Sequence, residues 1–169
     1  ITQLALLGTL SSGSSVYGST LNPGSVSLSN VVSGDQVQVG SVTVNTAGNL
    51  SGAGKLKAGN YTGIQSVGSA LTGADAGNYS FNGLTGDYTV SQLALLGSLS
   101  SGSSVYGSTL NPGSVTLNNV VSGDQVQVGS VTVNTAGNLS GAGKLKAGNY
   151  TGIQSVGSAL TGADAGNYS

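Results

Sequence analysis

Apolar and polar residues alternate along most of this chain. Val26 and Leu28 are interleaved with Ser25, Ser27 and Ser29, Val37 and Val39 with Gln36 and Gln38, and Val42 and Val44 with Ser41, Thr43 and Asn45. A period of two sends successive side chains to opposite faces of an extended backbone, so each run predicts a β-strand with an apolar face inward and a hydroxyl or amide face outward. Between the runs lie Asn22-Pro23-Gly24, Ser33-Gly34-Asp35, Thr46-Ala47-Gly48-Asn49, Ala58-Gly59-Asn60 and Asp75-Ala76-Gly77-Asn78. These can supply positive φ or an Asx turn, and they punctuate strands at hairpin-like spacing. No stretch keeps apolar residues at helical spacing for three turns. The chain reads as all-β.

The pattern then repeats. Residues 3–80 recur almost letter for letter as 92–169 at an offset of 89 (106 − 17, from Tyr17 and Tyr106), with Thr9/Ser98, Ser27/Thr116 and Ser29/Asn118 as substitutions. Just upstream, Ile1 and Thr2 correspond to Val90 and Ser91. Solenoid repeats run to about 20–50 residues, whereas domains start at about 50, so each copy should be a small domain. The expected division is 1–90 and 91–169, as tandem antiparallel β-sandwich-like (Ig-like) repeat domains. A β-solenoid running through both copies is the alternative, suggested by the Gly-Asn-Leu-Ser-Gly-Ala-Gly run from Gly48 to Gly54. Tyr88-Thr89-Val90 runs on toward Leu93, Leu95 and Leu96 with no Gly/Pro-rich spacer, which predicts a continuous extended join. The first copy goes on from Ser80 through residues 81–90 where the second stops at Ser169, the pattern of a window on a longer array.

Composition restricts the chemistry. The chain has no His, Cys, Glu, Arg, Trp or Met, which removes most general bases, soft metal ligands and the thiol nucleophile. Its charged side chains are Lys55, Lys57, Lys144, Lys146, Asp35, Asp75, Asp87, Asp124 and Asp164. Catalysis is therefore not expected, and no catalytic, cofactor-binding or metal-binding residue is assigned. A glycosidase would need two carboxyl groups about 5–10 Å apart. Nucleic acid is not an expected partner, because two lysines per repeat face two or three aspartates. No apolar run reaches the roughly 18 residues of a membrane span, so no membrane insertion is expected in this segment. Lack of cysteine does not by itself imply a reducing compartment. The Gly/Ser/Asn-rich, nearly uncharged surface resembles that of a disordered linker, but the regularly placed Val, Leu, Ile and Tyr provide a core that linkers lack.

Three segments carry a family likeness. Val31-Val32-Ser33-Gly34-Asp35-Gln36-Val37, then Gly52-Ala53-Gly54-Lys55, then the run from Leu71 through Gly73-Ala74-Asp75-Ala76-Gly77-Asn78-Tyr79 to Ser80 resemble the YDG and MBG (mostly β, Gly-rich) tandem repeat domains of large secreted bacterial adhesins, including exoproteins of the two-partner secretion type. Val16-Tyr17-Gly18 stands where that family has Tyr-Asp-Gly, and the Asp is missing. The resemblance implies an extracellular or cell-surface β module serving as stalk, spacer, or self-associating filament or biofilm-matrix element. Its partners would be other copies of itself, head to tail or lateral. A carbohydrate- or protein-binding surface module, taking a glycan or a host or bacterial surface, is the alternative.

Several residues invite specific readings. Asp75 with Asn78, and Asp164 with Asn167, bracket turns where Asx side chains bond backbone amides; a Ca²⁺ site would need six to eight oxygens and finds few carboxylates. Tyr61, Tyr79, Tyr88, Tyr150 and Tyr168 suit a core with hydroxyls at its rim better than glycan stacking, and Tyr17 and Tyr106 are open to either reading. Asn49, Asn60 and Asn78 head Asn-X-Ser/Thr patterns that recur in the second copy. Pro23 and Pro112 suit an edge or turn. Lys55 and Lys57 are edge gatekeepers or plain solvated lysines, and an isopeptide crosslink through them would need burial. If residues 88–90 form a pairing strand, the second copy exposes an unfilled edge that the N-terminal strand of another chain, near residues 1–7, would cover.

Overall fold

Glycine- and asparagine-rich turns cut the apolar alternation into short strands, and the pairing between them is mostly long-range. In the computed structural model, which describes residues 1–169, the chain forms two units, Ile1–Leu93 and Ala94–Ser169. The first contains β1 (Leu4–Ala5), β2 (Gly8–Leu10), β3 (Gly13–Val16), β4 (Val26–Leu28), β5 (Gln38–Val39), β6 (Thr43–Val44), β7 (Gly59–Val67), β8 (Leu71–Thr72), β9 (Tyr79–Ser80) and β10 (Leu84–Ser91). The second contains β11 (Gly97–Leu99), β12 (Val115–Leu117), β13 (Gln127–Val128), β14 (Thr132–Val133), β15 (Gln154–Ser155) and β16 (Leu160–Thr161). Helix is confined to one 3₁₀ turn per unit, Ala76–Asn78 and Ala165–Asn167. The chain is all-β, and no helix is long and apolar enough to cross a membrane.

In the first unit a four-stranded sheet runs in the order β3-β10-β7-β6, flanked by the pairs β1-β9, β2-β4 and β5-β8. Two pairings depart from the antiparallel expectation: β1 with β9 and β3 with β10 are parallel. A parallel pair needs a long crossover, and the start and end of one repeat supply it, with Leu4 opposite Tyr79 and Gly13 opposite Tyr88. β10 lies between β3 and β7 and reaches Ser91, past the division at residue 90 expected from the repeat. Its even-numbered residues turn inward, with Tyr88 and Val90 buried and Thr85, Asp87 and Thr89 exposed. A core of Leu6, Val67, Tyr79 and Phe81 joins side chains from the sheet to Val26, Leu28, Val39 and Leu71 of the flanking pairs.

The second unit reproduces three of these pairings in the same register. Gly97 opposite Leu117, Gln127 opposite Thr161 and Thr132 opposite Ser155 lie 89 positions beyond Gly8/Leu28, Gln38/Thr72 and Thr43/Ser66. It has no counterpart of β10, and the residues equivalent to β3, 102–105, are not a strand. Near-identical sequences thus end in different local structure. The difference follows from the missing pairing partner, since a short segment in water gains too little from pairing on one side to hold an extended geometry.

Candidate functional site

The most tightly organised polar group in the chain is an uncharged amide. β7 carries Gln65 at an inward position, where it is fully buried. Its Oε1 accepts the Gly24 N–H at 2.7 Å, and its Nε2 donates to the Ser11 carbonyl at 3.2 Å and the Asp87 carbonyl at 2.5 Å. One side chain therefore ties the end of β2, the Pro23-Gly24 turn and β10 to β7. A buried amide is tolerated only when its donors and acceptors are met, and here both ends are.

Two glycines make the clamp possible by close approach. A Cβ on Gly13 would lie 2.6 Å from the Tyr88 ring and 2.7 Å from Gln65 Oε1, and one on Gly24 would lie 1.8 Å from the Ser11 carbonyl oxygen. The Tyr88 ring covers Gly13, and its hydroxyl oxygen accepts the Asn22 N–H at 2.7 Å. Tyr17 follows β3 and is buried, its hydroxyl donating to Ser51 Oγ at 2.6 Å. Together these residues make a slot that grips β10 from both sides.

In the second unit the same slot is open. Tyr17 is 1 % exposed whereas Tyr106 is 54 % exposed, and Val16 at 46 % becomes Val105 at 80 %. Gln154 still accepts the Gly113 N–H at 2.6 Å, and Tyr106 still bonds Ser140, at 3.0 Å. The strand that would lie between them is missing. A groove of about 830 Å³ occupies its place, with residues 101–112 on one wall and residues 143–154 on the other.

The carboxylates do not converge on a reaction centre. In the first unit Asp35 accepts the Tyr79 hydroxyl at 2.6 Å, Asp75 the Gln36 N–H at 2.8 Å and Asp87 the Gly63 N–H at 2.9 Å. In the second, Asp124 accepts the Tyr168 hydroxyl at 2.6 Å and Asp164 the Gln125 N–H at 2.9 Å. Asp75 thus does bond a backbone amide, but one on the strand opposite its turn. No group of three or more acidic, His or Cys side chains gathers where it could hold a metal ion.

The tyrosines divide by depth. Tyr17, Tyr79, Tyr88 and Tyr168 are buried, while Tyr61 and Tyr150 are half-buried and donate to the Lys57 and Lys146 carbonyls, each at 2.8 Å. Lys55 and Lys57 are exposed on either side of the buried Leu56, so the burial an isopeptide crosslink requires is not met. Of the Asn-X-Ser/Thr positions, Asn60 and Asn78 are exposed and Asn49 is half-buried, while Asn167, the counterpart of Asn78, is buried. Sequence reasoning missed Gln65. It also missed Asn30, whose side chain accepts the Leu7 N–H at 2.7 Å and donates to the Ala5 carbonyl at 2.8 Å, a clip repeated by Asn119. Both are polar residues in a chain rich in such residues, and only the convergence of distant backbone groups distinguishes them.

Burial, with the hydrogen bond to Asp124, pushes the Tyr168 hydroxyl up to about 12. Tyr79 is raised by its hydrogen bond to Asp35 and by burial, and Tyr61 by burial. A raised folded-state value means that folding favours the protonated phenol. The associated stability is complete below the ordinary value of 10.0 and is lost as pH climbs from there through about 12. Melting temperature should therefore hold steady up to pH 10 and fall above it, together with growth of the tyrosinate absorbance. A melting temperature unchanged through pH 12 would show that these phenols are not protected.

Comparisons with protein-family models, with characterised proteins and with solved structures find no match for this chain.

Proposed function

We propose that the chain is a non-catalytic structural repeat module of a large extracellular bacterial adhesin, acting as stalk, spacer or self-associating filament element. The observation that carries this reading is the serial repetition of one β unit whose few ionisable side chains are spent on internal hydrogen bonds. Tandem copies convert chain length into reach, and many weak identical surfaces add through effective concentration. The resemblance of the Gly-Ala-Asp-Ala-Gly-Asn-Tyr run to YDG and MBG repeats supports the same assignment. So does a nearly uncharged surface of Ser, Thr, Asn, Gln and Gly. For the finer architecture we read each unit as sandwich-like in preference to a solenoid. In support, the core of the first unit joins Val67 and Leu84 of one sheet to Leu6, Val26, Leu71 and Tyr79 of separate strand pairs.

Stretching the chain between its ends should give two separate unfolding events, each releasing up to about 300 Å of extended chain for an 89-residue repeat. The stronger event should come from the first unit, whose sheet includes β10. Turnover of a glycoside or peptide substrate by the folded chain, or saturable glycan binding by one unit, would replace the structural reading with a catalytic or a lectin one.

A further inference from the structure

The groove in the second unit is defined by what fills its counterpart in the first. There β10 pairs in parallel with β3, Tyr88 to Ser91 opposite Gly13 to Val16, and antiparallel with β7, Leu84 to Gly86 opposite Val67 to Gln65 and Tyr88 to Val90 opposite Tyr61 to Gly59. Every side chain lining that slot recurs in the second unit, because residues 10–24 and 54–67 are identical to 99–113 and 143–156. What the groove exposes is what β10 covers in the first unit: Val105 and Tyr106 on one wall, and Tyr150, Ile153 and Gln154 on the other.

We propose that this groove is a strand-docking site whose occupant is an extended segment of the sequence of residues 81–91, entering from Ser169 as residues 81–91 enter from Ser80. Three independent features fit that occupant and no generic peptide. Gly102, like Gly13, leaves room for an aromatic ring where Tyr88 sits, since a Cβ on Gly13 would lie 2.6 Å from that ring. Gln154 holds Gly113 and presents the rest of its amide toward the position of the Asp87 carbonyl in the first unit. The three residues 81–83 bridge β9 to β10 in the first unit, so the same short link reaches the slot in the second. Another chain's N-terminal strand fits less well, because Leu4 and Ala5 already pair with Tyr79 and Ser80 in their own unit. Docking would convert residues 102–105 into a strand and close the sheet, so that each repeat is completed by the segment that leads into the next. The inference rests on the geometry of the first unit, not on the adhesin reading, and its failure would leave that reading standing.

The test compares two forms of the full chain extended after Ser169, one by the sequence of residues 81–91 and one by the same segment carrying the Tyr88→Ser and Val90→Ser changes. Amide hydrogen exchange at residues 102–106 and quenching of Tyr106 fluorescence are read in both and in the unextended chain. The unaltered extension should slow exchange at these amides at least 100-fold and shield Tyr106, while the altered extension should leave both as in the unextended chain. Added to the unextended chain, a free peptide of the sequence 81–91 should protect the same amides saturably. Equal exchange in the two extended forms overturns the proposal. So does concentration-dependent protection of residues 102–106 in the unextended chain alone, which would show that a second copy covers the groove.

Discussion

Replacing Tyr88 by alanine should destabilise the first unit by about 3–5 kcal/mol, the range for removing a large buried aromatic side chain, and should leave the second unit unchanged. Tyr88 is completely buried at the centre of the sheet, its ring lies against Gly13, and its hydroxyl oxygen takes the Asn22 N–H. Alanine would open a cavity between β3, β7 and β10 and strand that amide at once. Domains of this size are stable by about 5–15 kcal/mol, so the loss is a large share of the total. A midpoint shift of more than about 10 °C should follow, visible by calorimetry as a lowered transition for one unit only. Tyr88→Phe keeps the ring and removes only the acceptor, at a cost of about 1–3 kcal/mol. A cost below about 1 kcal/mol for Tyr88→Ala would mean that β10 is an accessory strand.

Which faces of the chain are buried was legible from alternation alone. The strands Val26–Leu28, Gln38–Val39 and Thr43–Val44 fall where Val and Leu alternate with Ser, Gln and Thr, and the tyrosines beside them mostly close the core. Which strand pairs with which was not legible. A period of two says that a face is inward but is silent on its partner, and hairpin-like turn spacing suggested neighbours in sequence. The observed pairs are instead β2 with β4, β5 with β8, and β3 with β10 across most of the repeat. The parallel pairings escaped for the same reason, since nothing local in Gly13-Ser14-Ser15-Val16 points to Tyr88. Gln65 was illegible for a different reason. In a chain where polar alternation marks the solvent side, an inward glutamine looks like a surface residue until Gly24, Ser11 and Asp87, from three separate segments, are found around its amide. The open slot was foreseen only as an unpaired edge near residues 88–90, because the repeat offset exposes missing sequence but not the shape of the groove left behind.

Gln65→Leu and Gln154→Leu, the same substitution at equivalent positions, should differ sharply in cost. In the first unit leucine would leave the Gly24 N–H and the Ser11 and Asp87 carbonyls without their partner in a site closed to water. Each stranded group costs about 1–3 kcal/mol, and because the three share one side chain the costs do not simply add, giving about 2–5 kcal/mol in all. In the second unit Gln154 is half-buried beside an open groove, so water can serve the Gly113 N–H and the loss should stay below about 1 kcal/mol. If strand docking gives the amide its role, Gln154→Leu should become as costly as Gln65→Leu once the chain is extended by the sequence of residues 81–91. Denaturant midpoints of the four combinations, with and without substitution and with and without extension, give the coupling directly. Equal costs for the two substitutions in the unextended chain would show that the glutamine stabilises its own strand and not the one that docks beside it.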